Sequence, residues 1–433
     1  MNPSEEREKI TGEIRFSLQE ENNAEKALKS TKDVQAFLEK EKGRDVSSFL
    51  SLLLAGAVIF QASDLHAEAE KDKIKIRFRI DGLLQDVLEI SAEWYASLLS
   101  RIKLVSGIKL NVADRPQDGR FSFLIESKEP IEVRAATLPS EYGESLVLRI
   151  LNPQSLVSLK ELGLRKDLLE LFAKEIKKPN GMIIVTGPTG SVKTSTLYAF
   201  LQEVKNPEAK IVTIEDPIEY HIQGVNQTQV NPAKGYDFAS GLRAIVRQDP
   251  DIILVGEVRD GETAEIALQA ALTGHLVFST LHANDASGTV ARLLALGSKA
   301  STIASALELI IAQRLVRKVC EACAKFQKPN EKELGAIGEA LNALKLPKEK
   351  SLMIPRAQGC KECSGTGYKG RIGIFEAIAV DDQMEEFILS SDSSSSLKAF
   401  AVKKGMVPMR QDGILKVLKG ITTLEEVERV AEE

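Results

Sequence analysis

A glycine-rich segment of this chain has the residue types and spacing of a phosphate-binding loop. Residues 187–194 read GPTGSVKT, which matches the pattern G-x-x-x-x-G-K-[ST] at every defined position but one. In that pattern backbone N–H groups surround the β-phosphate, the lysine contacts the β- and γ-phosphates, and the hydroxyl residue, here Thr194, binds Mg²⁺. The sequence therefore predicts ATP and Mg²⁺ as ligands, with these contact residues: Gly187, Pro188, Thr189, Gly190, Ser191, Val192, Lys193, Thr194 and Ser195.

The one mismatch is Val192, which stands where the pattern has its second glycine. Glycine adopts a positive φ readily, whereas a β-branched residue does so at a cost of about 1–3 kcal/mol. Two alternatives follow from this residue. Either the loop tolerates valine and supports hydrolysis, or it binds nucleotide weakly and does not turn it over.

Acidic and histidine residues accompany three apolar runs downstream of the loop. Glu215 follows IVTI and could hold a metal-bound water, whereas Glu257 comes just after DIILV and could polarise the attacking water. His275 and His282 flank the run LVFSTL. A lone histidine at a strand end is usually structural, but a pair beside a phosphate loop favours a γ-phosphate sensor.

The elements that must position these residues are strands and helices in alternation. After Pro153, short branched apolar runs are separated by helix-length segments, which predicts a parallel sheet covered on both faces. Ligands of such sheets bind outside the carboxyl ends of the strands. Upstream, KIKIRFRI alternates strictly and is followed by Asp81-Gly82 and LLQDVLEI, which predicts a hairpin. The fold class is therefore α/β, with a mixed α/β domain ahead of the parallel sheet.

The four cysteines form two CxxC pairs, Cys320 with Cys323 and Cys360 with Cys363. Four thiolates in this arrangement suit tetrahedral Zn²⁺, and no cysteine is left over. A redox pair or incidental thiols are the alternatives. We predict a structural zinc site, because a Cys₄ site leaves no open coordination position for catalysis.

Composition excludes several classes of protein. The 433 residues are 43% hydrophobic and 27% charged with a net charge of −5, which is typical of a globular chain and not of a disordered or nucleic-acid-binding one. The longest apolar stretch, FLSLLLAGAVIF, is shorter than the ~20 residues of a membrane span. The N-terminus lacks a signal-like apolar region and the paired cysteines suit a reducing compartment, so we expect a cytoplasmic protein.

Taken together, the motifs resemble the secretion ATPase superfamily, specifically the assembly ATPases of type II secretion and type IV pili. The resemblance runs from about residue 46 to the C-terminus. Pilus-retraction ATPases of that superfamily generally lack the tetracysteine module. The stretches that carry the resemblance are ASDLH, FRIDG, DRPQDGR, GPTGSVKT, TIEDPIEY, RAIVRQDPDIILVGEVRD, TGHLVFSTLHANDA, QRLVRKVC, GTGYKGRIGIFE and GITTLEEV.

This resemblance implies a PAS-like domain followed by a RecA-like domain, assembled as a homo-hexameric ring on the cytoplasmic side of the inner membrane. Such a ring would be peripheral to the membrane and would act on a platform protein within it. The implied domains are a charged, partly helical segment (1–45), the PAS-like domain (46–152), the ATPase core (153–319), a zinc-binding insertion (320–363) and a helical C-terminal part of the ATPase domain (364–433).

The resemblance also implies roles for individual residues. Glu257 would be the catalytic glutamate, Glu215 would belong to the acidic box that follows the loop, and His275 and His282 would form the histidine box. Arginines of the preceding domain would reach the phosphates, and the candidates for this role are Arg120 and Arg134. Surface ion pairing is the alternative interpretation of both arginines.

Three functions are compatible with these observations to different degrees. The first is a motor that couples ATP hydrolysis to pilus assembly or protein secretion. The second is a ring subunit of the same apparatus that binds nucleotide without turnover, and only Val192 supports it. The third, a DNA-handling motor, has little support, because the chain is acidic and offers no basic-aromatic stretch; we expect no direct nucleic-acid contact.

Overall fold

The computed structural model describes residues 12–28, 30–41, 45–153, 156–188, 190–344, 346–347, 352–390 and 393–431. These residues form two compact units. The first contains the described residues of Met1–Ser155 together with Cys320–Cys323 and Gln358–Lys369. The second contains those of Leu156–Val319, Ala324–Ala357 and Gly370–Glu433.

The first unit is a mixed α/β domain with one seven-stranded sheet. Its elements in chain order are β1 (Glu13–Phe16), α1 (Leu18–Ala27), α2 (Thr31–Glu41), α3 (Val46–Ile59), β2 (Asp64–Ala69), β3 (Ile74–Ile80), β4 (Leu83–Ile90), α4 (Ala92–Ser106), β5 (Gln117–Ile125), β6 (Ile131–Ser140) and β7 (Gly143–Leu151). The strand order is β1-β5-β6-β7-β2-β3-β4, with β1 parallel to β5 and the other pairs antiparallel.

Alternating hydrophobicity builds this sheet as expected. On β3 the side chains of Ile74, Ile76 and Phe78 are buried, and the intervening basic residues point to the opposite face. The turn to β4 uses Asp81 (φ 51°) and Gly82 (φ 85°), as a tight two-residue hairpin requires. The predicted hairpin is therefore confirmed, and the longest apolar stretch of the sequence is the buried helix α3.

The segment before residue 46 has no core of its own, but it is not separate from the domain that follows. β1 pairs with β5, and Ile14, Phe16 and Leu38 are buried in the same core as α3. The structure thus differs from the predicted boundary. The reason is that two apolar residues in the four-residue alternation EIRF are enough to fill one edge of a sheet, although charged residues dominate the segment.

The second unit is built on a second seven-stranded sheet. Its elements in chain order are α5 (Lys166–Glu175), β8 (Gly181–Thr186), α6 (Lys193–Val204), β9 (Ile211–Glu215), β10 (Asn226–Gln229), α7 (Phe238–Val246), β11 (Ile252–Val255), α8 (Gly261–Leu272), β12 (Leu276–Leu281), α9 (Ala286–Ala295), α10 (Ala300–Ala306), β13 (Leu307–Val319), β14 (Lys325–Gln327), α11 (Glu331–Ala343), β15 (Ile354–Arg356), β16 (Tyr368–Ala379), α12 (Asp382–Ser390), α13 (Ser394–Lys403), α14 (Met409–Leu418) and α15 (Leu424–Ala431).

The strand order of this sheet is β10-β9-β11-β12-β8-β13-β16, and every pair from β10 to β13 is parallel. Apolar clusters cover both faces, which explains why β8, β11 and β12 are buried along their whole length. The predicted α/β class and the four predicted strands of the parallel sheet are confirmed.

The cysteine region differs from the predicted single insertion. The CxxC pairs group with the first unit, whereas α11, which lies between them in the sequence, groups with the second. Ile337, Ala340 and Leu341 of α11 are spaced at three and four residues, and this apolar stripe is buried in the second unit's core. Within the described residues, every helix is too short or too polar to span a bilayer.

Candidate functional site

Four strands of the second unit end at one edge of its sheet. β8 ends at Thr186, β9 at Glu215, β11 at Val255 and β12 at Leu281. Because the strands are parallel, the residues that follow them meet along the same edge, where open α/β sheets bind their ligands. The glycine-rich loop follows β8 and leads directly into α6, which begins at Lys193.

The first part of the loop depends on glycine. Gly187 has a φ of 149° and Gly190 a φ of 82°, a region that favours glycine. A Cβ on Gly187 would lie 2.3 Å from the carbonyl oxygen of Gln313 on β13. The backbone at Gly187 therefore passes too close to β13 to accommodate a side chain.

Lys193 is folded back on this loop. Its Nζ donates hydrogen bonds to the carbonyl oxygens of Gly187 (2.9 Å) and Pro188 (3.3 Å). Burial lowers the pKa of Lys193, and the negative charges of Glu257 and Glu219 oppose that effect. The Lys193 ammonium and the Glu257 carboxylate are therefore close enough to interact electrostatically, as expected of two residues that act on the same nucleotide.

Val192 adopts the left-handed conformation, with a φ of 62° and a ψ of 37°. For a β-branched residue this conformation costs about 1–3 kcal/mol. Val192 is also the N-cap of α6, and its side chain accepts no hydrogen bond from the first helical N–H groups. Those N–H groups carry partial positive charge and are suited to bind phosphate oxygens.

The remaining loop residues surround the start of α6. Thr194 and Ser195 lie half-buried in its first turn, where the Thr194 hydroxyl is suited to hold Mg²⁺. Ser191 is buried, and its hydroxyl has no partner within the described part of the chain. Thr189 lies outside the described residues.

Glu257 is at the centre of a charged cluster beyond β11. Arg259 donates to one carboxylate oxygen at 2.6 Å, and His282 Nε2 lies 3.5 Å from the other. Burial raises the pKa of Glu257, but the hydrogen bond from Arg259 and the charges of Arg259, His282 and Lys193 outweigh burial and lower it. Glu257 is therefore a carboxylate at neutral pH and can orient a water. Sequence analysis missed Arg259, although it stands only two residues away.

Glu215 is buried in a hydrogen-bond network. Its carboxylate accepts a bond from Tyr198, a second from Thr213 (2.6 Å) and a third from Gln227 (3.1 Å). Burial, and then the negative charge of Glu215, raise the pKa of Tyr198. The network holds Glu215 rigidly at the strand end, and no spacing rule in the sequence links Tyr198 or Gln227 to it.

The two histidines are not brought together. His282 follows the carboxyl end of β12, but His275 precedes the amino end, about 20 Å away at ~3.3 Å per residue. His275 Nδ1 lies 3.0 Å from the carbonyl oxygen of Ala270, and its own carbonyl accepts a bond from Gly181, the first residue of β8. His275 therefore does not lie at the loop edge of this sheet.

Arg120 and Arg134 lie in the first unit, directly opposite each other on β5 and β6. Cross-strand partners project from the same face, so the two half-buried guanidinium groups are neighbours. Arg134 also donates to Glu132 at 3.2 Å. The pair forms a basic patch in the first unit.

The four cysteines converge as predicted. All four sulfur atoms lie within 4.8 Å of one another, with Cys320–Cys360 and Cys323–Cys363 each at 3.8 Å. A tetrahedral Zn²⁺ with Zn–S bonds of ~2.3 Å places its sulfurs about 3.8 Å apart, so this group fits zinc.

Backbone N–H groups support the cluster from outside. The N–H groups of Cys360 (3.1 Å) and Gly367 (3.2 Å) both point at Cys363 Sγ. Burial raises the pKa of the Cys363 thiol, but these amides, together with the hydrogen bonds from the Cys360 and Cys323 side chains, outweigh it and lower the pKa to about 7. Such donors stabilise the thiolate form that zinc requires.

Comparison with known proteins places this site in a family. The family described as "Type II/IV secretion system protein" matches residues 39–429. The type II secretion system protein E of Pseudomonas aeruginosa is 43% identical over 404 residues, which is 93% of this chain and 78% of the relative. The type II secretion system ATPase E of Vibrio cholerae is 44% identical, over 92% of this chain and 77% of the relative. The type IV pilus assembly ATPase PilB of Thermus thermophilus is 42% identical, over 88% of this chain and 42% of the relative.

Solved structures show the same architecture. The pilus retraction motor PilT, solved with bound ADP, aligns with a TM-score of 0.59 and 26% identity, over 89% of this chain and 97% of PilT. The Legionella pneumophila ATPase DotB aligns with a TM-score of 0.66 over 88% of this chain and 95% of DotB; at 22% identity this likeness supports the fold alone.

Proposed function

Because this chain belongs to the type II/IV secretion system protein family, we propose that it is the ATP-hydrolysing motor of a type II secretion or type IV pilus assembly system. The chain is an ATPase by family, and the coupling of its ATP hydrolysis to secretion or pilus assembly is the proposal. The observation that supports hydrolysis by this chain is the convergence of the phosphate loop, Glu257 and His282 at one edge of a parallel sheet. Its resemblance to assembly ATPases with a tetracysteine module favours assembly over retraction.

The residues of this edge divide the work of phosphoryl transfer. The loop N–H groups and Lys193 would hold the β- and γ-phosphates, and Thr194 would hold the Mg²⁺, which supplies neutralisation of their charge. Glu257 orients the attacking water, and Arg259 and His282 keep its carboxylate ionised and in position. Glu215, fixed by its three donors, would orient a water at the Mg²⁺ site.

We propose that His275 takes no part in this chemistry, because it lies at the opposite end of β12. For Arg120 and Arg134 the role of phosphate contacts rests on the family resemblance. We propose that role for both, because guanidinium groups suit phosphate oxygens and the two are adjacent on one face.

The cysteine cluster is proposed to hold one structural Zn²⁺ per chain. Metal analysis of the purified protein tests this, with about one zinc per chain expected. Cys320→Ser should release the metal and lower the melting temperature, whereas a metal-free wild-type protein that melts normally would refute the assignment.

The proposed assembly is a homo-hexamer bound to the cytoplasmic side of the inner membrane through a platform protein. Light scattering with Mg²⁺ and a non-hydrolysable ATP analogue should give a mass of six chains. A chain that stays monomeric at every nucleotide and protein concentration tested would contradict the ring.

A non-hydrolysing ring subunit is the second candidate, because Val192 adopts the left-handed conformation that is unfavourable for a β-branched residue. Mg²⁺-dependent ATP turnover separates the two. The motor predicts turnover by wild type that survives Val192→Gly. Turnover absent in wild type and restored by Val192→Gly would favour the second candidate.

A further inference from the structure

A second charged cavity lies in the ATPase unit. It has a volume of about 410 Å³, and its described lining residues do not include Lys193, Glu257 or His282. Five charged side chains line it, from α13, α14, β13, β16 and the residue before α9. They are Asp285, Arg314, Glu376, Lys398 and Arg410.

The buried carboxylate of this cavity is already committed to backbone donors. Glu376 Oε1 accepts a bond from the N–H of Ala286 (2.8 Å), the first residue of α9, and Oε2 accepts one from Met409 (3.0 Å), the first residue of α14. Burial raises the pKa of Glu376, and the two amide donors only partly oppose this. Both oxygens of the carboxylate are thus engaged by N–H groups at the starts of two helices.

The second carboxylate is committed as well. Asp285 is the N-cap of α9. Its Oδ1 accepts bonds from the N–H of Gly288 (2.7 Å) and the hydroxyl of Ser287 (2.9 Å). Its other oxygen lies 3.6 Å from Lys398 Nζ. The acidic groups thus satisfy helix ends and one lysine, and the two arginines are left to face the cavity.

The arginines have unused donors. Arg314 donates through its terminal nitrogens to the carbonyl oxygens of Val430 and Asn284, but its Nε is buried without a partner. Arg410 is half-buried and makes no hydrogen bond or ion pair within the described part of the chain. An oxyanion in the cavity would accept charge-assisted hydrogen bonds from Arg410, and the positive charge of Arg314 would add to its attraction.

We propose that this cavity binds a small molecule bearing phosphate or carboxylate groups, held by Arg314 and Arg410. A guanidinium presents a planar fork of donors that matches both oxyanions, and the volume lies in the range of small-molecule pockets. The cavity's described lining does not include the residues assigned to ATP turnover, which needs no second anion, so it offers a place for a regulatory ligand.

The test uses the full chain, loaded with zinc, in a Lys193→Ala background that removes phosphate binding at the loop. Inorganic phosphate and succinate are titrated separately by calorimetry. We expect one probe to bind at one site per chain, and Arg410→Gln to weaken that binding about tenfold. Lys419→Gln, which removes an exposed charge at the C-cap of the same helix, should leave binding unchanged.

Each outcome decides the matter. Binding of phosphate alone assigns the ligand to phosphate-bearing molecules, and binding of succinate alone assigns it to carboxylates. Binding of neither probe, or equal affinities for Arg410→Gln and Lys419→Gln, would overturn the proposal. If Arg410→Gln melts early, Arg410→Lys decides instead: it keeps the charge, loses the fork, and should bind severalfold more weakly than the background protein. Because this background lacks turnover, failure here leaves the motor proposal untouched.

Discussion

At the carboxyl end of β12, His282 lies 3.5 Å from Glu257, whereas at the amino end His275 rests against the carbonyl of Ala270. The contrast extends to lysines. Among the described residues, the hydrogen bonds of Lys193 go to loop carbonyl oxygens that phosphate could replace, whereas Lys178 at the amino end forms ion pairs with Glu175 and Glu308. The two edges therefore hold the same residue types, but at the carboxyl edge these residues lie beside the phosphate loop, whereas at the amino edge the lysine is committed to two carboxylates.

The largest expected effect comes from removing Lys193 at the carboxyl edge. Lys193→Ala should reduce kcat/KM for ATP by about 10³-fold, because the phosphates lose a charged donor in a preorganised site. Steady-state kinetics with Mg²⁺ and ATP measure this. Lys177→Ala, an exposed lysine after α5, is the control and should retain wild-type turnover; equal losses in both variants would reject the assignment.

The two histidines allow the two edges of the sheet to be compared at opposite ends of a single strand, β12. His282→Ala should lower kcat about tenfold, since Glu257 loses a neighbour that holds its carboxylate. His275→Ala should change kcat by less than about twofold. Losses of similar size from both substitutions would mean that the amino edge also contributes to the reaction.

Relief of backbone strain is a smaller effect. Val192→Gly should raise stability by about 1 kcal/mol, the gain from removing a left-handed valine less the extra chain entropy of glycine. The shift in melting temperature is the measurement, and Val192→Ala, which keeps a Cβ, should gain less. A lower melting temperature for Val192→Gly would show that valine is tolerated here without strain.

The smallest effect concerns pH. The lowered pKa of Glu257 keeps it ionised until the pH falls below the ordinary value of 4.5. Arg259→Gln removes the principal donor, so the pKa of Glu257 should rise and the acid limb of kcat/KM should move upward by about one pH unit. Arg259→Lys keeps the charge and should move it less. A downward shift would contradict the arrangement.

Much of the carboxyl edge could be predicted because local patterns determine it. An apolar run followed by a polar residue gives a strand end, and parallel pairing then places Glu215, Glu257 and His282 together. The position of His275 also follows from strand length, since six strand residues separate it from His282. Two histidines separated by the full length of a strand lie too far apart to form one site, although both flank that strand.

Other features depend on contacts between segments distant in sequence. Tyr198 and Gln227 reach Glu215 from α6 and β10, and EIRF finds its place only once β5 exists to pair with it. The cysteine pairs were readable as ligands because coordination chemistry fixes their spacing. Their grouping with the first unit could not be predicted, because the helix between them in the sequence is buried in the core of the second unit.

We propose that ATP is hydrolysed at the carboxyl edge of the second sheet. The most direct test of this proposal is Mg²⁺-dependent turnover of Glu257→Gln beside Glu308→Gln, the same substitution at the two edges. We predict a loss of about 10²- to 10⁴-fold in kcat for Glu257→Gln and less than about twofold for Glu308→Gln. Full turnover by Glu257→Gln would contradict the account.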